Sequence, residues 1–169
     1  MSSEIPEPAQ VYLELRQRIL NLDPGEMDLH PSSSAPHVWG VWMETGYLVG
    51  SATLIALADG TTSLYYSTGG GMLGSGEYTP VAESSKALVA EAETHLQFMT
   101  PSTDFPLPEV GQVRFILLTY AGNYSDAAIE RMLVAGKHPL SPLFTRAHET
   151  LEQLRLLSEK KRGVRQQEK

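Results

Sequence analysis

Apolar residues recur with a helical period at the start of the chain. Between Ala9 and Asn21 the positions Val11, Leu15, Ile19 and Leu22 fall at intervals of four, four and three, and Asp23-Pro24-Gly25 ends the element. Residues 26–36 carry Pro31, a Ser32-Ser33-Ser34 run and Pro36 with little to bury, so they are expected to form a loop or internal linker. From His37 to Thr68 the pattern changes to a strand meander. Thr45-Gly46 and Asp59-Gly60 each sit between β-type runs and are expected to be two-residue hairpin turns, because glycine accepts positive φ. That register places Trp42 opposite Val49 and Ile55 opposite Leu64. One face would then carry Val38, Trp42, Val49, Thr53, Ile55, Leu57, Leu64 and Tyr66. The other would carry Trp39, Val41, Met43, Leu48, Ala52, Leu54, Ala56 and Tyr65. Neither face is polar, so both are expected to be covered, the second most closely by a helix because its small residues let a backbone approach.

Gly69 to Tyr78 reads as a glycine-rich connection. A helix follows, capped by Thr79 with Pro80 at its first position, and its stripe is Val81, Leu88, Val89, Ala92, Leu96 and Met99. Pro101, Pro106 and Pro108 mark a stiff extended crossing. Gln112 to Tyr120 is a fourth strand, apolar on both sides, and Ser125 to Ala135 a short helix or irregular insert closed by Gly136. The last helix starts at Ser141-Pro142 and shows Phe144, Ala147, Leu151, Leu154 and Leu157. The pattern predicts an α+β domain over 1–159, with an antiparallel sheet made of the 37–68 meander and strand 112–120, in the order α-β-β-β-α-β-α-α. A basic tail occupies 160–169. This layout resembles the one shared by profilin-like, longin and roadblock-type domains, which implies a central antiparallel sheet with flanking helices and nothing about chemistry.

Composition narrows the function classes. The absence of cysteine removes disulfides, thiolate zinc sites and cysteine nucleophiles. The net charge of −7 is unevenly spread: Lys160, Lys161, Arg162, Arg165 and Lys169 oppose only Glu168 at the end of the chain, leaving the rest acidic. An acidic body repels phosphate backbones, so no nucleic-acid role is expected. No apolar run is long enough to span a bilayer, and the expected location is the cytoplasm.

Two stretches could carry chemistry. Ser67-Thr-Gly-Gly-Gly-Met-Leu-Gly-Ser-Gly-Glu77 joins a strand to a helix, and its backbone amides could cradle an anion. Gly69, Gly70, Gly71, Ser75, Glu77 and the more distant His138 are the candidate ligand-binding residues. The spacing matches neither phosphate-binding fingerprint in its proper context, and a merely conformational loop is the plainer account. His138, His148 and His95 show no metal-ligand spacing, and His148 at the margin of an apolar stripe reads as a packed residue. No catalytic constellation, metal or cofactor is expected. Arg114 reads as an edge-strand cation with its head in solvent. Trp39, Trp42, Tyr65 and Tyr66 form an aromatic group that becomes an interface if exposed. The expected function is therefore a small binding or assembly module whose partner is a protein or the chain itself, acting through a sheet edge or the first helix. The alternative is a small enzyme or anion-binding domain using loop 69–76.

Overall fold

In a computed structural model of the chain, describing residues 4–74 and 77–167, one antiparallel sheet of seven strands is flanked by four α-helices. Helix α1 (Gln10–Leu20) precedes β1 (Val38–Tyr47), β2 (Gly50–Leu57), β3 (Thr62–Tyr66) and β4 (Gly71–Gly74). Helix α2 (Thr79–Glu93) leads to β5 (Thr100–Pro101), β6 (Gln112–Thr119), β7 (Gly122–Ile129), α3 (Glu130–Val134) and α4 (Ser141–Gln167). The strand order is β4-β3-β2-β1-β6-β7-β5. The α+β class and the antiparallel sheet agree with the sequence pattern. The sheet is larger than the four strands expected, because the glycine-rich stretch supplies β4, the start of the proline crossing supplies β5, and residues 122–129 supply β7, leaving only 130–134 helical.

The meander is present with different turns. Strand β1 runs straight through Thr45-Gly46 and turns at Leu48-Val49, so that Tyr47 lies opposite Gly50 and Trp42 opposite Ile55 rather than Val49. Gly46 marks a close crossing, not a turn: a Cβ there would stand 2.2 Å from the Glu109 carbonyl oxygen. Asp59-Gly60 does lie in a turn, with Gly60 at φ 94°, but the loop spans 58–61 and brings Leu64 opposite Leu54. That one-residue slip exchanges the faces of Leu64, Tyr65 and Tyr66. A bulge between Val38 and Gly40 exchanges Val38 with Trp39, so the two tryptophans share a face.

The resulting core has two layers. Val38, Val41, Met43, Leu54, Ala56, Val113, Phe115 and Leu117 pack beneath α2 and α4, which contribute Val81, Leu88, Val89, Ala147 and Leu154. Trp39, Trp42, Ile55, Leu57, Ile116 and Leu118 form the opposite layer with Ile19 and Leu20 of α1 and Phe105. Each large side chain taken wholly from water contributes about 1.5–3 kcal/mol. The central strands β1 and β6 are apolar on both sides because both sides are covered. Arg114 belongs to β6, an interior strand, and its head is not simply in solvent. Its guanidinium donates to the Pro106 carbonyl (3.0 Å) and to Ser125 Oγ (3.1 Å), fastening the 102–110 crossing to the sheet.

Candidate functional site

Helix α1 docks through a polar cluster that its apolar stripe did not reveal. Tyr12 is buried while Val11 is 56% exposed, so the helix is rotated from the expected stripe. Tyr12 and Arg16 lie four residues apart, one turn along the same face. Both reach Glu44, which is fully buried on β1. Arg16 donates from Nε (3.1 Å) and Nη2 (2.9 Å), Tyr12 OH from 2.9 Å, Thr53 Oγ1 from 2.8 Å and Trp42 Nε1 from 3.1 Å. Arg16 Nη2 also donates to the Phe105 carbonyl at 2.6 Å, and its guanidinium stands 5.5 Å from the Trp42 ring centroid. With its oxygens surrounded by donors, Glu44 serves as a latch for α1 rather than as a general base.

Burial, reinforced by the nearby Glu44 carboxylate, raises the Tyr12 phenol well above its ordinary 10.0. The folded protein therefore keeps a proton that the unfolded chain releases above pH 10. This contribution to stability is complete below pH 10 and is lost as pH rises beyond it, at up to about 1.4 kcal/mol per pH unit. Tyr12→Phe is expected to cost about 1 kcal/mol at neutral pH and to flatten the alkaline arm of the stability profile. Urea unfolding of both proteins from pH 8 to 11 checks this; parallel curves would exclude it.

The glycine-rich stretch is a β-hairpin. Gly69 and Gly70 take positive φ (106° and 81°) in its turn, and Tyr66 N–H donates to the Gly70 carbonyl at 3.1 Å. Gly71 lies opposite Tyr65 and Met72 opposite Leu64. Opposed residues share a face, so Gly71 falls on the α1 side, where it offers no side chain, and Met72 falls on the α4 side. A cavity of about 360 Å³ opens beneath α1, lined by Val11, Tyr12, Leu15, Tyr65, Gly71 and Met72 among others. A second, of about 300 Å³, lies between the hairpin and α4, lined by Met72, Leu154, Leu157, Ser158, Lys161 and Arg162. The two cavities flank the same edge strand.

The remaining residues singled out from the sequence are dispersed. Ser75 lies outside the described residues, and Glu77 is exposed between β4 and α2. His138 precedes α4, where its Nδ1 accepts from the Leu140 N–H at 3.1 Å. The glycine hairpin meets α4 at Leu154–Arg162, roughly 20–30 Å further along that helix at 1.5 Å per residue. Trp39 and Trp42 are buried and Tyr65 half-buried; of the four aromatics only Tyr66 is exposed. His148, exposed on one side, packs on Phe144 (4.2 Å between ring centroids), and desolvation on that side lowers its pKa, partly offset by Glu130. His95 is buried with Nε2 3.2 Å from Glu91. Among the described residues no group of three histidines or carboxylates could hold a metal, and no helix is long and apolar enough to cross a membrane. Glu44 carries no signal of this role in the sequence, because the expected Thr45-Gly46 turn places it at a strand end, and only the continuation of β1 through residues 45–46 puts it inside an apolar strand. Nothing in the sequence connects the tail cations to the glycines; the fold does, at Gly71, Lys161 and Arg162.

No family model matches the chain, and no similar curated protein or solved structure was found.

Proposed function

We propose that the chain is a binding and assembly module that associates with a second copy of itself through one end of its sheet. The observation that supports this reading is where the exposed large apolar side chains gather. Leu48 (68% exposed) and Val49 (72%) form the β1–β2 turn, next to Tyr47. Gly46 pairs with Val110 on one side, and Glu130 N–H donates to the Gly111 carbonyl, which brings Ile129 to the same end. Ser67 N–H donates to the Ser51 carbonyl, which brings Tyr66 there as well. An apolar patch kept in water is the ordinary mark of an interaction surface. None of its six side chains is charged, so the centre of a two-fold contact is apolar, with exposed Glu109 next to Val110 and the Glu130 carboxylate beside Tyr47 at its margin.

The double variant Leu48→Asp/Val49→Asp tests the reading by light scattering. The wild-type protein is expected to be dimeric or larger at micromolar concentration, and the variant monomeric but folded, with the circular dichroism spectrum of the wild type. A wild-type protein that stays monomeric at high micromolar concentration overturns the proposal.

A further inference from the structure

The β4 edge, with a different cavity on each of its faces, has the form of a receptor for one extended strand. β4 is the terminal strand of the sheet. The Tyr66–Gly70 backbone bond sets the phase of the hairpin ladder, so Met72 turns its backbone groups toward β3. By the same alternation, Gly71 and Leu73 turn N–H and C=O outward, away from β3. An added strand would pair with these outward groups, and its successive side chains would fall alternately on the α1 and α4 faces.

The two faces differ in chemistry. On the α1 side the lining is Val11, Tyr12, Leu15, Tyr65, Tyr66, Met72 and the glycines 69–71. On the α4 side Leu154 and Leu157 form the floor, with Lys161 and Arg162 beside it. None of the ion pairs among the described residues engages either cation. We propose that β4 captures an extended segment of a partner protein in which apolar residues alternate with acidic ones, the apolar set entering the cavity beneath α1 and the acidic set facing Lys161 and Arg162. Charge selects this occupant over a second copy: a two-fold β4–β4 contact would bring the same two cations of each copy together. The inference rests on the chain being a binding module, and not on its self-association.

The probe is a short fluorescein-labelled peptide of alternating valine and glutamate, with valine–lysine and sequence-scrambled peptides as controls. Its anisotropy is followed against the full chain. Saturable binding of the glutamate peptide alone is expected. Leu73→Pro removes one outward N–H without touching the β3 ladder, and proline is tolerated at such an edge position. It is expected to abolish binding while the circular dichroism melt stays unchanged. Lys161→Glu/Arg162→Glu, on the exposed side of α4, is expected to weaken binding by about tenfold and serves if Leu73→Pro fails to fold. Leu48→Asp/Val49→Asp should bind the peptide as the wild type does, which separates this result from the oligomer test. Absence of binding, equal binding of the lysine peptide, or full binding by both edge variants overturns the proposal. So does a loss of oligomer in Leu73→Pro, because the edge would then belong to a second copy.

Discussion

Glu44→Ala is expected to remove about 3–5 kcal/mol of stability, because it leaves a half-buried guanidinium and several buried donors without their acceptor. For a chain of this length that corresponds to a fall in melting temperature of about 10 °C. The loss is not confined to one ion pair. Arg16 loses both of its bonds to the carboxylate and keeps only the Phe105 carbonyl, Trp42 Nε1 points into an apolar layer, and the Tyr12 and Thr53 hydroxyls are left with only their bond to each other (2.7 Å). Glu44→Gln should cost less, since its amide oxygen still accepts from Trp42 and Thr53. Replacing both charges by apolar residues, as in Arg16→Met/Glu44→Leu, should recover the part of the alanine loss that comes from the unpaired guanidinium, and not the part that comes from Trp42 Nε1. Urea unfolding followed by tryptophan fluorescence reads all three variants. A loss below about 1 kcal/mol for Glu44→Ala would mean that water reaches the cluster and that α1 is not latched there.

How much of this was legible in the chain depended on the length scale of each signal. Long periodic stretches were readable: α2 buries Val81, Leu88, Val89 and Ala92, and α4 buries Phe144, Ala147, Leu154 and Leu157, as their stripes predict. The two-sided apolar character of β1 and β6 correctly implied cover on both faces. Positions decided by a distant segment were not readable. Thr45-Gly46 has the composition of a hairpin turn, and only the approach of Pro108 and Glu109 shows why the glycine sits inside a strand. Val11 continues the α1 stripe by period, yet Tyr12 faces inward because Glu44, thirty-two residues away, accepts from its hydroxyl. The paired cavities share that limit. Glycines 69–71 and the cations near residue 161 are separated in sequence, and only the fold sets them beside one edge strand.

Gly46→Ala follows from the same long-range contact and is expected to cost about 3 kcal/mol, at the upper end for a small overpacking change. The added Cβ would stand 2.2 Å from the Glu109 carbonyl oxygen and 2.8 Å from that of Pro108, both backbone atoms with no rotamer to yield. Relief requires the crossing at 108–110 to move away from β1. That movement breaks the Gly111 N–H bond to the Gly46 carbonyl (3.0 Å) and strains the Glu130 N–H bond to the Gly111 carbonyl (2.9 Å). The crossing remains tied further back by Arg16 at Phe105 and Arg114 at Pro106, so the displacement should be local to 106–112. Limited proteolysis should therefore cut the variant near Val110 well before the wild type, alongside a lowered melting temperature. Gly163→Ala is the matched control: it lies in α4 with open space where its Cβ would go, and there alanine is expected to add up to about 1 kcal/mol. If both substitutions leave the protein equally stable, the crossing does not press on β1, and Gly46 is free to be the turn that its neighbours in sequence suggest.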